Sequence, residues 1–319
     1  MDRKTGRLKD RSLDYLKSEM EIQPDKVTEK LTSFIKEYQS KLKRNGVIFG
    51  LSGGLDAAVI AVLCARAAGT DKTLALIMPE KDSGKQHIRD AYEFAKKANI
   101  QIKSVDMTRY LRKIGLYRIF PVDIIPKRYR GKLVKKSYQY LNEKTEAGYF
   151  SRTLANRESG LIGSIINRSF VYYRTKHRMR MLLLYMYGER GNRLIVGAAN
   201  KSEYQIGFFV KHGIDSATDI MPIIGLYKTQ IIKLAKYLLI PGHIIEKQPS
   251  PDILSGVDDE TTIGLPYEKL DLILLAIEKG WTDQEIEHAL AVIGITMKDI
   301  VYIRNLIKNS EHMRKVYVP

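Results

Sequence analysis

The chain has 319 residues, 44% of them hydrophobic, with a net charge of +17 and one cysteine. That length supplies a full core, in one large domain or one domain with an elaborate insert, and a lone Cys64 excludes a disulfide framework or a cysteine-based zinc site. No apolar run approaches the ~18 residues of a membrane span, and 1–22 lacks an apolar stretch after its basic residues, so a cytoplasmic protein is expected.

Val27, Leu31, Phe34 and Ile35 recur at intervals of three and four, which predicts an amphipathic helix over 26–38. A glycine-bounded apolar run predicts a buried strand over 46–50, and an alanine-rich stretch, apolar nearly all round, a buried helix over 56–68. Cys64 falls inside that helix and reads as a structural thiol. A second strand is expected over 73–79, a helix over 86–98 and a third strand over 100–105. This alternation is that of βαβ units, so the predicted fold class is α/β with a doubly wound parallel sheet.

The rhythm then breaks. Residues 109–180 hold 18 Lys and Arg against 4 Asp and Glu, with 8 of the 19 tyrosines. A block of this kind attracts polyanions, or is simply a solvated insertion. Over 109–172 periodicity is weak; the regular pattern resumes with a helix over 176–188 and a strand over 193–197. Helices are then expected over 227–239, 267–279, 282–292 and 298–308. The organisation read from this is a single domain over 1–319, with a basic, tyrosine-rich insertion over 109–173.

Three constellations carry chemistry. The first is Gly50-Leu51-Ser52-Gly53-Gly54-Leu55-Asp56 between a strand and a helix. Paired glycines let backbone N–H groups converge on a phosphate, and the following helix points its positive end there. Without Gly-Lys-Ser/Thr it is not a Walker-type loop. Ser-Gly-Gly-x-Asp instead resembles the pyrophosphatase loop of enzymes that split ATP into AMP and pyrophosphate, with Asp56 on Mg²⁺; alternatively Asp56 is only a helix cap. The second, Gly197-Ala198-Ala199-Asn200-Lys201-Ser202-Glu203, follows another strand, so Asp56 and Glu203 would face one crevice beyond the strand ends. Asn200 and Glu203 would equally serve as caps of the next helix. The third places Lys211, Asp219 and Lys228 in loops or at element ends, where a lysine suits phosphate as a point charge.

In this order the segments resemble ammonia-dependent NAD⁺ synthetases. Met78-Pro79, Lys176-His177-Arg178-Met179-Arg180-Met181, Lys247-Gln248-Pro249-Ser250, Asp259-Glu260, Tyr267-Glu268-Lys269-Leu270-Asp271 and Glu311-His312 extend the likeness over roughly 25–108 and 174–315. The resemblance implies an adenine nucleotide alpha hydrolase-like, Rossmann-like fold and a tight homodimer. It implies a reaction in which nicotinic acid adenine dinucleotide is adenylated by ATP and ammonia then displaces AMP. The alternative is a divergent relative that adenylates and amidates another carboxylic acid.

On the family pattern Gly50, Leu51, Ser52, Gly53, Gly54, Leu55, Asp56, Ala57, Ala198, Lys228 and Ser250 belong to the ATP site. Asp56 and Glu203 would hold Mg²⁺, while Arg178, Lys211, Asp219, His312 and Met313 match dinucleotide contacts. No residue matches a covalent nucleophile and no amidase domain is recognised, so free ammonia or a separate subunit is the implied donor. Four positions depart from the pattern: Ala57 stands for a serine, Ala198 for a threonine, Met313 for a lysine and Arg174 for an asparagine. Neither a membrane nor a nucleic acid is an expected partner.

Overall fold

The computed structural model describes residues 11–119, 150, 154, 160–248 and 258–318. Four parallel strands form one sheet: β1 (Gly46–Gly50), β2 (Thr73–Ile77), β3 (Gln101–Ser104) and β4 (Arg193–Ile195), in the order β3-β2-β1-β4. Alternate side chains of β1 point to opposite faces. Val47 and Phe49 join one hydrophobic cluster and Ile48 the other, all essentially without solvent exposure. A strand buried on both faces reads as a continuous apolar run, which is how 46–50 reads.

Before the sheet lie α1 (Leu13–Glu19) and α2 (Pro24–Lys41); between its strands run α3 (Leu55–Ala68) and α4 (Lys85–Lys97). Helices α2, α3 and α4 pack on the Val47 and Phe49 face. The opposite face is covered by α5 (Thr108–Lys113), α6 (Leu116–Ile119) and the long α7 (Gly160–Arg190), whose Leu183 and Leu184 pack with Ile48 and Ile195. With helices on both faces, the sheet is doubly wound as expected.

After β4 come α8 (Lys201–Ile206), α9 (Lys228–Tyr237), α10 (Gly242–Ile245), α11 (Asp259–Ile263) and α12 (Tyr267–Glu278). The chain ends in α13 (Asp283–Leu290), α14 (Met297–Asn309) and α15 (Glu311–Arg314). Helices α9 and α10 return to the sheet, while α1, α8 and α11–α15 surround a third apolar cluster that includes Trp281 and Ile303. Capping residues set several of these boundaries: Thr282 starts α13 in a reciprocal capping box with Glu285.

One element differs clearly from expectation. The helix predicted over 176–188 begins at Gly160, within the segment read as an insertion. Its buried Tyr172 and Leu184 alternate with exposed Val171, Leu182 and Met186 and with many cations, so no single apolar stripe marks it. The part of the basic segment before it is also ordered locally, as α5 and α6. Residues 120–149, 151–153 and 155–159 of that segment lie outside the described residues.

Candidate active site

The strand order puts the first and last parallel strands side by side. The chain leaves β1 toward β2 and β3, then returns to place β4 on the other flank of β1. Connections from these two neighbours diverge at their carboxyl ends and leave a crevice, the usual ligand position in such sheets. Here the crevice is a pocket of about 560 Å³.

The glycine turn forms one wall. Leu51 N–H still donates to Leu76 O of β2, after which the chain turns sharply into α3. Gly53 has φ +78°, and a Cβ there would lie 2.2 Å from His87 O of α4. Only glycine permits both the conformation and the approach. Ser52 Oγ accepts from Gly54 N–H at 3.3 Å, and Asp56 sits in the first turn of α3.

The second wall comes from the loop after β4. Asn200 caps α8 by accepting from Glu203 N–H at 2.9 Å. The same side chain donates to Asp56 Oδ2 at 3.3 Å, so the capping and site-forming roles coexist. Lys228 opens α9 and is 3% exposed. Its Nζ lies 2.6 Å from Asp56 Oδ2 and 3.3 Å from Glu203 Oε1.

Around this trio lies a ring of partners that had no expected role. Tyr267 OH donates at 3.2 Å toward Glu203 Oε1 and lies 3.3 Å from Asp259 Oδ2. Asp271, fully buried on α12, accepts from Ser202 Oγ at 2.5 Å, Thr229 N–H at 2.9 Å and Thr229 Oγ1 at 2.8 Å. Ser202 Oγ in turn accepts from Lys228 N–H at 2.9 Å. Asp271 therefore fixes the starts of α8 and α9, which carry Glu203 and Lys228. The available signal was a carboxylate on the buried face of an otherwise apolar helix, four residues after Tyr267.

Electrostatics follow from crowding. Burial pushes the carboxyls of Glu203 and Asp259 up; Lys228 opposes this and Asp56 reinforces it. Burial works against the charge on Lys228, but Asp56, Glu203 and Asp259 outweigh it and raise its pKa. Burial likewise pushes Asp271 up to about 6, against its hydrogen bonds from Ser202 and Thr229. Asp56 Oδ1 is buried without a hydrogen-bond partner. An orphaned carboxylate oxygen beside a second carboxylate suits an incoming divalent cation.

Of the residues expected at the ATP site, Gly50, Leu51, Ser52, Gly54, Leu55, Asp56, Ala57, Ala198 and Lys228 line this pocket, as does Glu203, expected with Asp56 to hold Mg²⁺. Gly53 lies behind it, against α4. Ser250 falls outside the described residues. The expected dinucleotide contacts do not line the cavity. Arg178 donates to Lys211 O at 3.3 Å from both Nε and Nη2, and Lys211 Nζ donates to His312 O at 2.6 Å, so these three form a separate linked group. Asp219 Oδ2 accepts from Ile195 N–H at 2.9 Å and holds the end of β4. Met313 is 8% exposed and packs in the helical cluster around Trp281, since an uncharged side chain there gains by burial. Tyr173, His177 and Arg180 of α7 do line the pocket and had no expected role.

A parallel sheet with a phosphate-type glycine turn, paired carboxylates and a lysine at its switch point defines an α/β enzyme of the adenine nucleotide alpha hydrolase-like fold. Comparison with known proteins narrows this. The family described as NAD synthase matches residues 27–117 and 153–317, both flanks of the basic segment included. An NH3-dependent NAD⁺ synthetase of Thermotoga maritima is 40% identical over 260 residues, 79% of this chain and 87% of that protein. One from Methanocaldococcus jannaschii is 35% identical over 290 residues, 91% and 94% of the two chains. The solved NH3-dependent NAD synthetase of Campylobacter jejuni superposes with a TM-score of 0.64 at 26% identity, covering 93% of this chain and 99% of its own. An NMN synthetase from Francisella tularensis shares the fold, with a TM-score of 0.68 at 24% identity over 94% of this chain and 99% of its own. The chain belongs to the NAD synthase family.

Proposed function

We propose that this enzyme converts nicotinic acid adenine dinucleotide to NAD⁺, using ATP and ammonia. The observation that carries this reading is the meeting of Asp56, Glu203 and Lys228 beside the glycine turn. A nicotinate carboxylate oxygen attacks the α-phosphorus of ATP, and the bond to pyrophosphate breaks. Ammonia then attacks the carbonyl carbon of the adenylate, loses a proton, and AMP leaves with the bonding pair. Such chemistry needs positioning and positive charge more than a covalent nucleophile.

In this reading, N–H groups of the glycine turn and the positive end of α3 receive the ATP phosphates, and Lys228 turns its ammonium to them. Ala57 and Ala198, which line the pocket, leave the backbone to supply contacts that hydroxyls make in relatives. Asp56 and Glu203 would hold Mg²⁺, which when bound neutralises phosphate charge. Cys64 is buried in α3 and burial raises its thiol pKa, so it supports no thiolate chemistry on glutamine. The donor is therefore ammonia that arrives from outside this chain, free or from a separate subunit.

The reading includes a homodimer. Val171, Leu182 and Met186 of α7 are about half exposed, at 47%, 58% and 49%, and recur along one helix face. It also includes a cytoplasmic location; among the described residues no helix is long and apolar enough to cross a membrane. AMP release with Mg-ATP, ammonia and the dinucleotide, absent when the dinucleotide is omitted, tests the reading. AMP formed only with a different carboxylic acid overturns it.

A further inference from the structure

We infer that Lys247, at the edge of the pocket, is a positioning residue for the phosphate turn, acting through Gly53 and Asp90. Lys247 Nζ donates to Gly53 O at 3.1 Å. The same ammonium is paired with Asp90 of α4. Asp90 is 2% exposed, and its other carboxylate oxygen accepts from Gln86 Nε2 at 2.6 Å. Three pieces of chain far apart in sequence therefore meet at one ammonium: the turn, α4 and the segment after α10.

The geometry of Gly53 explains why that junction matters. The turn lies against the backbone of α4 so closely that a Cβ at Gly53 would also approach Ala91 N at 3.2 Å. A contact this tight has no side chain to lock it. The Gly53 carbonyl is a polar handle on the turn, and α4 presents a carboxylate there, which cannot bond a carbonyl directly. An ammonium, with three donors and no acceptor, joins two acceptors that would otherwise repel. Asp90 in turn needs a cation, because burial alone would favour its neutral form. The aim of the turn's N–H groups thus depends on Lys247, and an error near 1 Å in such a group can cost on the order of 10²-fold in rate.

This rests on the glycine turn being the ATP site, and the test separates the two ideas. Lys247→Met, Lys247→Gln, Lys247→Arg, Asp90→Asn and the Lys247→Met/Asp90→Asn double variant are assayed for AMP formation, with the KM for ATP and for the dinucleotide measured separately. Lys247→Met should raise the KM for ATP about 10-fold and leave that for the dinucleotide within about twofold. Lys247→Gln, which keeps a donor for Gly53, should fall between, and Lys247→Arg should recover most of the loss. Asp90→Asn should raise the KM for ATP in the same direction, and the double variant should be no worse than Lys247→Met. An Asp90→Asn enzyme with unchanged KM for ATP, or effects that multiply in the double variant, overturns the inference and makes Lys247 a direct phosphate contact. A parallel rise in both KM values overturns it in favour of general loss of structure. Asp56→Asn is the control for the underlying reading: if it stays active, the turn is not the ATP site and that reading fails first.

Discussion

Lys228 Nζ lies 2.6 Å from Asp56 Oδ2, although the two residues are 172 positions apart, and the same ammonium reaches Glu203 Oε1 at 3.3 Å. The ammonium thus bridges the two carboxylates that the proposed reading gives to Mg²⁺. On the proposed reading, nucleotide phosphates would offer Lys228 a new partner, and Asp56 and Glu203 would then be free to hold Mg²⁺, which would neutralise phosphate charge.

Asp56→Asn keeps the side-chain shape and the bond from Asn200 but removes the charge. AMP formation should fall by on the order of 10²-fold or more. Chelation of divalent metal should abolish the wild-type reaction, and added Mg²⁺ should restore it. A steady-state assay of AMP release reads both.

Lys228→Met leaves Asp56 and Glu203 facing each other without a cation. Breaking a buried ion pair costs about 3 kcal/mol. Glu203 and Asp259 already have raised pKa values from burial, and both rise further once Lys228 is gone. The folded variant then holds protons that the unfolded chain releases near pH 4.5, the ordinary glutamate value. Its stability is fully present below that pH and is lost as pH rises toward the folded-state pKa. Urea melts at pH 5 and pH 8 should show the larger deficit, relative to wild type, at pH 8.

Gly53→Ala and Gly264→Ala both place alanine at positive φ, +78° and +87°. At Gly264 a Cβ meets open space, so the cost is about 1 kcal/mol and activity is kept. At Gly53 the Cβ would strike His87 O. That variant should lose more stability, by thermal melting, and should raise the KM for ATP at least several-fold. Equal behaviour of the two would contradict the role given to the turn.

Asp271→Ala removes the acceptor for Ser202 and Thr229 and leaves their donors buried. A loss of about 3 kcal/mol is expected from those unsatisfied groups. Because Ser202 also accepts from Lys228 N–H, kcat should fall as well, though Asp271 does not line the pocket. Asp271→Asn, which keeps one carbonyl acceptor, should retain more of both. Chemical denaturation alongside turnover separates the two effects.

Leu182→Glu places a charge on the exposed apolar face of α7. If α7 lies in a homodimer interface, sedimentation should show a shift toward monomer with the helix content unchanged. An unaltered mass would place the interface elsewhere.

Much was legible before any coordinates. The strand over 46–50 and the helices α3, α4 and α12 fall within a residue or so of expectation, because each is set by a local apolar period and a glycine, proline or cap at its ends. Asp56 and Glu203 could be assigned to one crevice because strand ends in a parallel sheet share an edge. Helix α7 begins well before its expected start because its apolar residues do not form one stripe.

The sequence by itself determined the parallel α/β architecture, the glycine turn and the family, since periodicity, turn chemistry and ordered motifs are properties of short stretches. Only the tertiary structure decided that Lys228 lodges between Asp56 and Glu203, that Asp271 holds the starts of two helices, and that Lys247 reaches across 194 positions to Gly53. A lysine or a buried aspartate carries no local mark of its partner. Its role is fixed by which distant group shares its burial, and that is a property of the packed chain.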